Sequence, residues 1–156
     1  MLAVMGRVRS ILVRLARGGG PTRTGGAPAE DGVRIVYAPD RDGDPDPGEV
    51  VWAWVPYEDD PAQGKDRPVL VIGYDGRGGR LVAVPLSSRD PAHKRDAGEW
   101  VPVGAGSWDR ERRESFANAD RVLRYAPGEV RREGAALPRD RFDAVVAMAR
   151  ALGRIR

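Results

Sequence analysis

The chain carries one histidine, His93, and no cysteine. Those two facts remove much side-chain chemistry before any fold is considered. A pair of histidines cannot act as acid and base, and neither a His-rich nor a thiolate metal site can be assembled. His93 stands in a charged stretch, RDPAHKRD at 89–96, that reads as a solvated loop. Carboxylates are plentiful, with Asp42, Asp44 and Asp46 in one turn-rich run and Glu58, Asp59 and Asp60 in another. Asp is favoured in such Pro- and Gly-containing turns because its side chain bonds the nearby backbone. A carboxylate cage for a metal stays open as an alternative, although no EF-hand spacing is present. The glycine patterns that cradle phosphates are missing, and Gly76-Arg77-Gly78-Gly79 is the makings of a turn. Neither a metal nor a cofactor is expected.

The formal net charge is +3, which invites a nucleic-acid reading, but the charges are unevenly placed. Residues 1–30 hold Arg7, Arg9, Arg14, Arg17 and Arg23 against the single Glu30. The remainder has 21 basic and 22 acidic residues, by subtraction from totals of 26 and 23. Basicity therefore belongs to the tail, and the domain is near neutral. Absent cysteine gives no sign of an oxidising compartment. The longest apolar runs, at 50–56 and 68–72, are too short to span a bilayer. A cytoplasmic protein without integral membrane association is the expectation.

Three parts of the chain have to position whatever chemistry remains. Residues 1–17 carry an amphipathic basic pattern, with Val4, Met5, Val8, Ile11, Leu12 and Leu15 on one helical face and Arg7, Arg14 and Arg17 opposite. It reads either as a membrane-surface or partner-binding helix or as a weakly ordered extension. Residues 18–47 read as a flexible linker and a turn-rich segment, with a short strand candidate at 33–37 inside it. From residue 48 to 156 the pattern is that of one small domain. Alternating or continuous apolar runs predict strands at 48–55, 67–74, 80–86, 99–103 and 121–125. Asp75-Gly76 and Gly78-Gly79 supply a tight hairpin between the second and third. Phe142, Val145, Val146, Ala149 and Leu152 then form one helical stripe, with Pro138 near its start and Gly153 as a stop.

Four segments, taken in order, carry a resemblance. PGEVVWAWVP at 47–56 is similar to the opening strand of the PemK/MazF-type toxins of type II toxin–antitoxin systems. QGKDRPVLVIG at 63–73 and VAVPLSS at 82–88 resemble that family's second and third strands, and NADRVLRY at 118–125 a late one. Trp108 to Arg110 and the acidic loop look like an actinobacterial branch of the family.

The resemblance implies a mainly β, small SH3-like barrel with a C-terminal helix behind a flexible N-terminal extension. It further implies a homodimer that cleaves single-stranded RNA without a metal, by attack of the ribose 2′-hydroxyl, and that a cognate antitoxin protein neutralises. Arg67 matches the family's catalytic Arg and Ser87 its catalytic Thr. Gln63, Lys65, Ser88, Arg89, Asn118 and Asp120 are placed along the RNA. An Arg suits a phosphoryl transition state because its planar fork donates two hydrogen bonds to the gathering charge. Ser87 in place of Thr is freer about χ1, and Asn118 stands where some members carry a second Arg. The acidic side chains of loop 57–66 would repel an RNA backbone. For Arg67 the alternative is a surface ion pair with Asp66 or Glu58, and for Ser87 a strand-end cap. For the whole domain, the alternative is a non-catalytic barrel that binds nucleic acid or an antitoxin-like protein. Trp52 and Trp54 offer stacking surfaces for bases, although period-two alternation sends at least one of them toward the core.

Overall fold

The computed structural model describes residues 32–40, 42–76, 79–131 and 135–156. The helix and linker read at 1–31 lie outside the described residues. Eight strands follow in order: β1 (Val33–Ile35), β2 (Val50–Pro56), β3 (Gly64–Asp75), β4 (Leu81–Ser87), β5 (Trp100–Gly104), β6 (Ser115–Asn118), β7 (Leu123–Tyr125) and β8 (Val130–Arg131). One α-helix, α1 (Arg139–Ala151), closes the chain. The order across the sheet is β5-β6-β4-β3-β2-β8, with β1 added to β3 and β7 to β4. Every pairing is antiparallel. This is the mainly β, SH3-like arrangement with a C-terminal helix. No helix among the described residues is long and apolar enough to cross a membrane.

The strands bury apolar side chains on both faces, which is why their sequences read as continuous runs rather than clean alternations. One core gathers Val50, Leu70, Ile72, Val82, Val84, Val101 and Val103 under the helix residues Phe142, Val145, Val146 and Ala149. The other gathers Val51, Ala53, Val55, Val69, Val71, Tyr74, Leu81 and Ala83. The helical stripe thus does what its spacing predicts, and each of its larger members contributes about 1.5–3 kcal/mol by leaving water. Gly153, at φ +74°, ends the helix. Its N–H donates to Arg150 O at 2.9 Å and that of Arg154 to Ala149 O at 2.9 Å. These bonds satisfy carbonyls that the last helical turn leaves open.

Residues 33–37 and 44–47, which the sequence places ahead of the barrel, pack against it. β1 pairs with the far end of β3, Val33 opposite Asp75 and Ile35 opposite Gly73. A Cβ on Gly73 would lie 2.1 Å from Arg34 O, so the close approach of β1 requires glycine there. The Tyr37 ring meets Phe142 edge-on at 5.0 Å, and its hydroxyl donates to Leu137 O at 2.8 Å. Asp46 and Glu49 are buried, with Asp46 N–H donating to a Glu49 carboxylate oxygen at 3.0 Å. The strand candidate at 33–37 contains β1, with Val33, Ile35 and Tyr37 packed against the first core and Val36 against the second. The Asp/Pro-rich stretch that follows is instead tied by backbone and carboxylate bonds that leave no apolar period.

Candidate functional site

β3 and β4 form a hairpin through the centre of the sheet, and the site lies where they part. Their ladder pairs Leu70 with Val84 and Val69 with Pro85. Extended by two residues, that register sets Arg67 opposite Ser87. The strands do not stay together so far. β3 continues with β2, pairing Arg67 with Ala53, while β4 turns to β6, pairing Ser87 with Phe116. The backbone forks, and Arg67 and Ser87 stand on its two prongs. Alternation along β3 that buries Val71 and Val69 points Arg67 to the same face, just past the end of the second core.

Two grooves open on either side of this fork, and Arg67 and Ser87 line both. The larger, about 340 Å³, has an apolar floor of Val55, Pro56, Pro85 and Leu86. Arg89, Lys94 and Arg121 add positive charge to Arg67 on its walls, and Glu58, Asp59 and Tyr57 face them from the β2–β3 loop. Trp100 and Asn118 form the remaining wall. The smaller, about 150 Å³, is lined by Trp52, Lys65, Asp66, Pro68, Ser88, Asp109, Arg113 and Ser115.

Arg67 has no ion-pair or hydrogen-bond partner among the described residues. Asp66 instead accepts from Arg131 at 3.0 Å. Burial draws the Arg67 guanidinium below the ordinary arginine range; Tyr57 works against this, and the neighbouring Arg89 and Arg121 add to the lowering. A half-buried guanidinium among like charges is a site prepared for an anion. Ser87 Oγ accepts the Arg89 backbone N–H at 3.1 Å. That bond fixes the oxygen as acceptor and leaves the hydroxyl hydrogen free to be donated into the groove. Arg121 is held by a hydrogen bond from Nη2 to Pro56 O.

The smaller groove is shaped by residues 105–114. Trp108 is buried and its Nε1 donates to Ser115 Oγ at 3.1 Å. Its carbonyl accepts from Trp52 Nε1 at 3.1 Å. Asp109, whose pKa is lowered first by its hydrogen bond with Arg113, binds that guanidinium at 2.8 Å. With Asp66 and Asp109 each engaged by an arginine, Lys65 is left unpaired among the described residues of this groove.

Of the residues the sequence places along an RNA path, Arg67, Ser87, Arg89 and Asn118 meet in the larger groove, and Lys65 and Ser88 join Arg67 and Ser87 in the smaller. Gln63 and Asp120 line neither. Gln63 Nε2 donates to Asp60 at 2.8 Å, and Asp120 accepts from Arg154 at 2.7 Å. Trp52 is half-buried at the smaller groove, and Trp54, 50% exposed, lies apart beside Leu123 and Tyr125. Lys94, Trp100, Arg113 and Arg121 are site residues that sequence reasoning missed. Arg121 lies within the matched NADRVLRY segment, but nothing local marks Trp100, which reaches the groove only because β5 pairs with β6.

Residues 46–152 match the family model described as PemK-like, MazF-like toxin of type II toxin-antitoxin system. MazF (Form-I) from Deinococcus radiodurans is similar in structure, with a TM-score of 0.54 at 21% identity over 72% of this chain and 98% of that one. A MazE-MazF structure (Form-II) from the same organism gives 0.50 at 22% identity, over 72% of this chain and 97% of that one. No curated protein matches the chain.

Proposed function

Because the chain belongs to the PemK-like, MazF-like toxin family of type II toxin–antitoxin systems, we propose that it is an endoribonuclease cutting single-stranded RNA at the β3–β4 fork. The observation that carries this reading is the placement of an unpaired, half-buried Arg67 and a hydroxyl-donating Ser87 on the two prongs, with further cations beside them.

In the proposed step the ribose 2′-oxygen attacks the adjacent phosphorus and the 5′-oxygen of the next nucleotide leaves. A 2′,3′-cyclic phosphate and a 5′-hydroxyl result, and the proton lost by the attacking hydroxyl balances the one gained by the leaving oxygen. Charge gathers on the non-bridging oxygens. Arg67 meets it with two N–H donors and Ser87 with one, in a groove whose donors are already in place. Arg89 and Lys94 hold flanking phosphates, which positions the strand without carrying the chemistry.

The test is cleavage of a labelled single-stranded RNA by the full chain, with products resolved by their ends. Cyclic-phosphate ends are expected, and EDTA in excess should leave the rate unchanged, because side-chain cations supply the charge compensation. Loss of cleavage on chelation, restored by added metal, would overturn the metal-independent reading. Glu58 and Asp59 in the groove favour a second reading, a barrel that binds without cutting; RNA bound but never cleaved would select it.

A homodimer and a protein antitoxin are proposed alongside. The Deinococcus radiodurans relative was solved as a MazE-MazF complex, which supports an antitoxin partner here. Sedimentation at micromolar concentration should give a species near twice 17.0 kDa. A species of monomer mass at every concentration would count against the dimer.

A further inference from the structure

Resting on the ribonuclease reading, we propose that the larger groove is a nucleobase pocket, in which a base flanking the scissile phosphate stacks on Trp100 and has its edge read by Asn118. Trp100 and Asn118 are directly opposite one another on β5 and β6, so their side chains share a face. Both line the groove that Arg67 and Ser87 open. The arrangement puts an aromatic plane and an amide beside the phosphate clamp, over an apolar floor of Val55, Pro85 and Leu86. A few directed polar groups over an apolar floor are what a small planar ligand needs.

The state of these two side chains supports that assignment. Asn118 is buried, and the only hydrogen bond its side chain makes among the described residues is from the Asp120 backbone N–H to Oδ1, at a long 3.3 Å. A backbone N–H can only donate, so the atom facing it is the oxygen. The amide NH₂ is left to donate to an acceptor on a base edge. Trp100 presents its ring to the Lys94 ammonium at 4.8 Å. Lys94 is exposed, and a cation–π contact in water is weak. A base stacking on the indole displaces it, and the ammonium then meets the phosphate next to that base. Lys94 therefore occupies the stacking face while the groove is empty and contributes to backbone binding once it is filled.

The experiment uses the full chain and two sets of short single-stranded oligonucleotides. One set is RNA that the wild type cleaves. The other is the 2′-O-methyl form, which cannot react through the 2′-oxygen and reports binding alone. Each set carries a single abasic substitution at successive positions. One abasic position is expected to lower affinity and kcat/KM by about 5- to 100-fold, the range of one base–aromatic stack. Trp100→Leu should cost a similar factor on the intact oligonucleotide and nothing further on that abasic one, because the base and the indole act as one unit. Trp100→Phe should retain most of the binding. Asn118→Ala should show the same coupling to the same position, which keeps the test intact where Trp100→Leu lowers the fold's stability. Lys94→Gln should leave the base dependence in place and reduce the salt dependence of binding by about one phosphate.

Equal losses from Trp100→Leu and Asn118→Ala on intact and abasic oligonucleotides at every position would overturn the pocket. If such losses come with RNA cleavage, the ribonuclease reading stands and the base pocket falls. Coupled losses in binding with no cleavage would leave the pocket standing and remove the catalysis. A chain that binds none of the oligonucleotides overturns both.

Discussion

Arg67→Lys should lower the rate of RNA cleavage on the order of 10²-fold while changing RNA affinity little. The substitution keeps a positive charge but loses the planar fork that gives two bonds to one phosphate. Removing a comparable preorganised donor costs about 3 kcal/mol in the transition state. Affinity is spread over Arg89, Lys94 and Lys65, which line the same grooves, so the ground state loses far less. The environment adds a pH signature. What lowers the Arg67 pKa is first burial and then Arg89 and Arg121, with Tyr57 opposing. Those influences would act on a lysine ammonium too, whose charge is lost as pH rises through its lowered pKa. The deficit of Arg67→Lys should therefore widen toward alkaline pH and narrow toward neutral. Ser87→Ala should weaken cleavage in the same direction by a smaller factor, and the double variant should lose less than the sum if both side chains serve one phosphate. Measured as single-turnover rates across pH, equal rates in all four proteins would end the assignment of Arg67 and Ser87.

Much of this arrangement was legible in the chain, and the reasons differ by element. Apolar runs of β2, β4 and β5 and the stripe of α1 are written in side chains, because each buries a face. The Gly64–Asp66 arm of β3 is not, since GKD pairs with β2 but buries no apolar side chain. β6 escaped for a related reason. In Ser115–Asn118 the side chains buried are Ser115, Ala117 and Asn118, too small or too polar to form an apolar signal. The same limit applies to the site. Arg67 and Ser87 sit at ends of strong apolar runs and could be found through the order of the motifs. Trp100, Lys94 and Arg113 reach the grooves only through strand pairings or loop anchoring that no local pattern encodes. Asn118 and Asp120 show the reverse case: two residues apart in one motif, one enters the groove and the other is drawn away to Arg154.

Trp108→Ala should destabilise the fold by about 3–5 kcal/mol, the usual cost of emptying a buried aromatic site. That is a large part of the 5–15 kcal/mol by which domains are stable, and it corresponds to a drop in Tm of roughly 10–20 °C at this size. Three contacts meet at this one side chain. Its ring is 4% exposed within the helix-side core, and its Nε1 bonds Ser115 at the start of β6. Gly106 lies against the ring so closely that a Cβ there would come within 2.1 Å of it. With the ring gone, nothing comparable anchors residues 105–114, which carry Asp109 and Arg113 to the smaller groove. Cleavage measured well below the lowered Tm should then fall as well, with the loss in KM rather than in kcat, because the phosphate clamp at the fork is untouched. Trp108→Phe separates packing from the hydrogen bond. It keeps most of the ring and should cost nearer 1 kcal/mol, the worth of one bond to Ser115. Thermal unfolding of both variants beside the wild type decides the matter. A Trp108→Ala protein melting within about 3 °C of the parent would show that the loop rests on the barrel without being part of its core.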